Sequence, residues 1–151
     1  AQAFGMQLII AEQPGAVSCR PGRVPFTEAL AQADVISLHC PLTTATTKLF
    51  NAEVFAAVKP NALLINTARG GLIDEAALLD ALQNGTLGGA ALDVVTQEPP
   101  APDNILIRAN LPNLLITPHM AWASAEARQR MVIQLADNIQ AFLQGNPRHQ
   151  V

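Results

Sequence analysis

Short apolar runs, lacking the every-second-residue alternation of a half-exposed strand, recur along this chain between segments of helical spacing. Leu8-Ile9-Ile10-Ala11 ends in Glu12 and reads as a buried strand. Residues 13–25 hold Pro14, Gly15, Pro21, Gly22 and Pro25, which predict a long connection with a short strand around Val17. Phe26 to Ala33 predicts a short helix. Val35-Ile36-Ser37-Leu38 predicts a strand, stopped by Pro41 and followed by a polar loop of Thr43, Thr44, Thr46 and Thr47. Asn51 caps a helix running to about Val58, and a turn at Pro60-Asn61 leads into the strand Leu63-Leu64-Ile65. Asp74 caps the next helix, in which Leu78, Leu79 and Leu82 share a face. Gly85 and Gly88-Gly89 end it and lead into Ala90-Ala91-Leu92. Residues Thr96 to Pro112, rich in Pro and Asn, read as mostly loop, and Leu114-Leu115-Ile116 as the last strand. Ser124 caps a long helix with Val132, Leu135, Ala136, Ile139 and Phe142 on one face, closed by Gly145 and Pro147.

Strands of this kind, separated by helices, belong to a parallel sheet. The expectation is an α/β, Rossmann-like parallel sheet with helices on both faces, truncated at its N-terminus. A doubly wound nucleotide domain opens with strand, glycine-rich turn and helix. Here Ala1 to Gly5 reads only as the end of that helix, and no GxGxxG occurs.

Composition narrows the classes. The 151 residues suffice for one cored domain, and half of them are apolar. Charged residues make up 14%, against about 25% in typical domains. A surface so poor in charge points to one partly covered by a partner subunit or a further domain. The net charge of -3, with no basic run or aromatic platform, argues against a nucleic-acid partner. No apolar stretch approaches the roughly 20 residues of a membrane span, and the first residues are no signal peptide. Cys19 and Cys40 have neither metal-ligand nor redox-motif spacing, so reduced thiols in a cytoplasmic protein are expected.

Three polar segments follow strands, and in open parallel sheets ligands bind outside the carboxyl ends of strands. They are Asn66-Thr67-Ala68-Arg69-Gly70-Gly71, the segment from Asp93 to Pro100, and Thr117-Pro118-His119-Met120-Ala121-Trp122. Singly, Arg69 is also readable as a loop cation, Glu98 as solvated surface and His119 as a brace for the last helix. Together they suit one chemistry. An arginine holds an α-carboxylate through paired charge-assisted bonds. A histidine protonates a carbonyl oxygen as hydride reaches its carbon. A glutamate beside it stabilises the imidazolium and fixes its orientation.

The run NTARGGLIDE from Asn66 to Glu75 resembles the signature of the D-2-hydroxyacid dehydrogenase family. ALDVVTQEPP from Ala91 to Pro100 resembles that family's acidic segment, and TPHMAWAS from Thr117 to Ser124 its histidine segment. His39-Cys40-Pro41-Leu42-Thr43 looks like its cofactor-contacting turn. The resemblance implies catalytic roles for Arg69 (substrate binding), Glu98 (the partner of the histidine) and His119 (acid/base). It implies NAD contacts by His39, Cys40, Pro41, Thr67, Ala68, Arg69, Asp93, His119 and Ala121, with Asp93 orienting the nicotinamide carboxamide. Glu12 falls where the family's acid binds the adenosine ribose hydroxyls. An acid there disfavours a 2′-phosphate, unless Arg20 or Arg23 folds back onto it. No metal is implied.

In such a protein, residues 1–123 are part of the NAD-binding domain, without its first strand and glycine-rich loop. Residues 124–151 return toward a separate substrate domain. The same motifs, with Trp122, look most like glycerate dehydrogenases, also called hydroxypyruvate reductases. They imply NADH-dependent reduction of hydroxypyruvate to D-glycerate by a homodimer. Glyoxylate and phosphohydroxypyruvate are the alternative substrates. Formate dehydrogenases fit less well, because those relatives depart from Glu at the position of Glu98. A corepressor-like, NAD-binding interaction module is the alternative without enzymatic turnover.

Overall fold

A computed structural model describes residues 1–150. They fall into two compact units, one from Ala1 to Pro118 and a second from His119 onward.

In the first unit, four strands pair in parallel and in sequence order: β1 (Val35–Leu38), β2 (Leu63–Asn66), β3 (Gly89–Leu92) and β4 (Leu114–Ile116). The register aligns Ile36, Leu64, Ala90 and Leu114 in one row, and Leu38, Asn66, Leu92 and Ile116 two residues further on. Side chains two apart share a sheet face, so both rows point the same way. That face packs into a core with Leu30, Phe55, Leu78, Ala81, Leu82 and Leu106. These come from α1 (Phe26–Gln32), α2 (Ala52–Ala57), α3 (Glu75–Gln83) and α4 (Ile105–Ala109), which contact one another in succession. The architecture is the α/β, Rossmann-like parallel sheet flanked by helices that the apolar runs predict. The alternate rows carry Val35, Leu63 and Leu115, all substantially exposed.

The helix starts follow local side-chain chemistry. Asn51 accepts a hydrogen bond from the Val54 N–H, and Asp74 accepts from those of Ala76 and Ala77, satisfying donors that have no partner within the helix. Asp74 also pairs with Lys48 at 3.0 Å. That bond, followed by the backbone donors, holds its carboxyl below the ordinary aspartate range. The depressed value means that this stabilisation is present above the unfolded-state pKa and is lost as pH falls through the folded one. Asp74→Ala is expected to cost about 1 kcal/mol at neutral pH. The difference should shrink in acid, below the ordinary value of 3.8. Urea melts at pH 7 and pH 3 check it, and an equal difference at both would remove the cap's charge from the account.

Two expectations fail. Leu8 to Ala11 form no strand; the segment makes an isolated parallel bridge through Ala11 and Val24, with Glu12 N–H donating to Val24 O and Val24 N–H to Ile10 O. A strand is defined by its partners, and the described residues supply only that short contact. Val17, the expected strand position in the connection, is fully exposed. The stretch expected to be mostly loop also contains the short helix α4. Asn104 caps it through the Leu106 and Ile107 N–H groups, and Asn110 ends it in a left-handed conformation.

The second unit is dominated by α5 (Ala125–Leu143), capped by the Ser124 hydroxyl at the Ala127 N–H. Its face of Val132, Leu135, Ile139 and Phe142 is exposed. Among the described residues, no helix is long and apolar enough to cross a membrane.

Candidate active site

The carboxyl end of β2 builds the arginine turn. Asn66 is fully buried. Its amide nitrogen donates to the Arg69 carbonyl at 2.9 Å, and its amide oxygen accepts the Ala68 N–H at 3.0 Å. A short polar side chain thereby bends its own backbone and fixes Thr67, Ala68 and Arg69. The Arg69 side chain is exposed, with Nη1 donating to the Ala68 carbonyl at 2.7 Å. Next to it, Gly70 lies against the main chain of another segment: a Cβ there would sit 2.0 Å from the Val95 carbonyl carbon.

That other segment is the acidic one after β3. Asp93 is buried, its N–H donates to the Asn66 carbonyl, and its Oδ1 accepts the Thr117 hydroxyl at 2.5 Å. The Thr117 N–H in turn donates to the Leu92 carbonyl, which ties the end of β4 to that of β3. Downstream, Glu98 is exposed and its Oε1 accepts the Val95 N–H at 3.0 Å. The segment is held from α3 by Glu75, whose two carboxylate oxygens accept the Thr96 N–H (2.7 Å) and the Asn104 amide (2.9 Å). Glu75 closes the NTARGGLIDE run but carries no assigned role in the sequence reading. Its position directly after a capping Asp is the only local hint.

After β1, the His39 Nε2 and Ser37 Oγ are 2.9 Å apart. Thr46 donates its hydroxyl to the Pro41 carbonyl at 2.7 Å and accepts the Thr43 N–H at 2.8 Å, which curls the loop back on itself. Cys40 is half-buried. Leu42 packs against Gly71, where a Cβ would meet its Cδ2 at 2.9 Å.

Glu12 is buried at the end of the extended segment 8–11. The connection does fold back. Arg20 grips the carboxylate with Nε at 2.8 Å and Nη2 at 2.5 Å, while the Gln13 and Arg20 N–H groups donate to its two oxygens. The Arg20 guanidinium, then those backbone donors, hold the Glu12 carboxyl far below the usual carboxylate range. The same bond raises Arg20.

In the second unit, His119 adopts φ 51°, the left-handed region that non-glycine residues rarely occupy. Its carbonyl accepts the Trp122 indole N–H at 3.0 Å, and the Met120 carbonyl accepts the Ala123 N–H. Ala121 lies within this turn.

The structure thus brings the His39–Pro41 turn, the Arg69 turn and Asp93 to the carboxyl ends of β1, β2 and β3, which are adjacent in the sheet. Glu98 lies five residues beyond Asp93 and is tied back to Val95. Glu12 lies at the separate segment before α1, and His119 and Ala121 lie in the second unit. Residues 1–121 match the family model described as "D-isomer specific 2-hydroxyacid dehydrogenase, NAD binding domain". The chain belongs to this dehydrogenase family. It is 52% identical to a glycerate dehydrogenase of Methylorubrum extorquens over all of its own length and 47% of that protein. Among solved structures, D-lactate dehydrogenase with NAD+ from Lactobacillus jensenii superposes with a TM-score of 0.84 at 29% identity, over 99% of this chain and 49% of the other. An acyclic imino acid reductase in complex with NADPH and D-Arg gives 0.81 at 34% identity, over 99% and 47%. The chain spans about half the length of the curated relatives it matches. Family membership accounts for the arginine, acidic and histidine segments by one origin.

Proposed function

We propose that the full-length protein reduces a small 2-keto acid to a D-2-hydroxy acid with NADH, and that its substrate is hydroxypyruvate. The observation that carries this reading is the direct packing of the Arg69 turn on the Asp93–Glu98 segment, through Gly70. It gives a substrate-holding cation and the acidic partner of a histidine a common, rigid support.

The residues fit the cofactor. Asp93 offers a buried carboxylate braced by Thr117, the acceptor that a carboxamide NH2 requires. Thr67 and Ala68 lie in a turn fixed by a buried amide, and His39, Cys40 and Pro41 begin the loop on the neighbouring strand. When bound, NADH supplies the hydride that reaches C2 of the substrate. Arg69 holds the substrate carboxylate, so C2 and its oxygen are oriented before transfer. His119 gives its proton to the C2 oxygen, and Glu98 is the carboxylate assigned to favour its protonated imidazole. The preference for hydroxypyruvate rests on the 52% identity to a glycerate dehydrogenase over the whole of this chain. Loss of NADH absorbance with hydroxypyruvate, glyoxylate and phosphohydroxypyruvate tests it. The highest kcat/KM is expected with hydroxypyruvate, and its transfer to another of the three would displace that substrate. Absence of turnover with all three 2-keto acids, despite nucleotide binding, would favour an interaction module instead.

A further inference from the structure

The Glu75 carboxylate bridges two segments that are distant from it in sequence. From the first residue of α3, Oε1 accepts the Thr96 N–H at 2.7 Å and Oε2 accepts the Asn104 side-chain amide at 2.9 Å. The peptide unit joining Val95 to Thr96 is thereby held at both edges. Its carbonyl lies against Gly70, and its N–H against Glu75. One peptide earlier, the Val95 N–H donates to Glu98 Oε1 at 3.0 Å. Asp93 is fixed by other means, since its N–H donates to the Asn66 carbonyl and its Oδ1 accepts the Thr117 hydroxyl. Glu75 thus braces the part of the acidic segment that carries Glu98, and not the part that carries Asp93.

We propose that Glu75 is a positioning residue for the reaction, directing the Glu98 carboxylate through the Val95–Thr96 peptide. The proposal rests on the assignment of Glu98, under the function proposed above, as the acid that supports His119. An ionised carboxylate only accepts hydrogen bonds, and both partners of Glu75 are donors. Asn104 has no freedom to turn its amide over, because its Oδ1 accepts the Leu106 and Ile107 N–H groups at 3.0 and 3.2 Å. Its NH2 therefore faces position 75. A neutral amide there has one acceptor for two donors, so either Thr96 or Asn104 loses its bond.

The test is made in the full-length protein, with the best of the three 2-keto acids. Glu75→Gln is expected to lower kcat about tenfold, because a shift of about 1 Å at a reacting site costs up to roughly a hundredfold. The NADH Kd, read by calorimetry, should move less than about twofold. Combining Glu75→Gln with Asn104→Asp inverts the polarity of the pair. The new carboxylate caps α4 with one oxygen and accepts the new amide's NH2 with the other, which leaves the amide oxygen for the Thr96 N–H. This pair should recover kcat to within about twofold of the wild type, and it keeps the test open where the single variant fails to fold. Its negative charge has moved from α3 to α4, so recovery owes nothing to charge at the start of α3. Glu98→Gln alone should lower kcat at least about tenfold. Adding Glu75→Gln to it should cost less than about a further twofold, because the group being positioned is already gone. Wild-type kcat in Glu75→Gln, no recovery in the inverted pair, or a full multiplicative loss on combining it with Glu98→Gln would each overturn the proposal alone. Wild-type kcat in Glu98→Gln, or a wild type that turns over none of the three acids, would overturn the assignment of Glu98 and the proposal with it.

Discussion

Replacing His119 with Asn in the full-length protein is expected to lower kcat/KM for NADH-dependent reduction of hydroxypyruvate by about two to four orders of magnitude. Asn is chosen for its backbone as much as for its side chain. His119 holds φ 51°, and Asn is among the few residues that tolerate that region without large strain. The Trp122 indole bonds to the main-chain carbonyl of His119, an acceptor that the substitution leaves in place. The turn should therefore survive while the proton donor disappears. The amide of Asn cannot deliver a proton to a forming alkoxide at neutral pH, so hydride transfer would have to proceed with the proton drawn from water. Binding of NADH should change much less than turnover. A folded variant with kcat/KM within tenfold of the wild type would remove His119 from the proton transfer.

What was readable in the sequence follows the range of the interactions involved. Asn51, Asp74 and Ser124 start helices by bonding donors two or three residues away, and each is placed correctly by local chemistry. The four strands of the sheet are apolar runs long enough to be seen without knowing their neighbours. Residues 8–11 are apolar in the same way, but pairing is not a property of one segment, and theirs reduces to a bridge with Val24. Helix α4 was hidden because Asn104 and Asn110, which cap and end it, are also the residues that mark loops. The site divides similarly. The placement of Arg69 and Asp93 after β2 and β3 is legible because the strands before them are apolar runs. What supports them is not: Glu75 reaches Thr96 across 21 residues. Nothing local to either end announces such a contact. The condition set on Glu12 in the sequence, the folding back of Arg20 or Arg23 onto it, is met by Arg20.

Gly70→Ala should be among the most damaging single-methyl changes available in this chain. The φ of Gly70 lies outside the left-handed range, so conformation alone would allow alanine; space does not. The new Cβ would fall 2.0 Å from the Val95 carbonyl carbon, 2.1 Å from its oxygen and 2.5 Å from the Thr96 nitrogen. All three are main-chain atoms, and their segment is fixed on both sides: Asp93 N–H bonds to the Asn66 carbonyl, and Thr96 N–H to Glu75. Relief requires the Arg69 turn and the acidic segment to separate. Overpacking of this type costs about 1–3 kcal/mol or more. A displacement of about 1 Å between catalytic groups is enough to lose roughly a hundredfold in rate. Gly71→Ala is the matched control, because its Cβ would meet only Leu42 methyl carbons, at 2.9 and 3.3 Å, at the end of a side chain that rotates. The expected order in urea melts and in kcat/KM is therefore wild type, Gly71→Ala close behind, and Gly70→Ala far below both. If the two alanine variants were equally stable and equally active, contact between the two main chains would not be what aligns Arg69 with the acidic segment. The buried Asn66 clamp alone would then have to position the arginine.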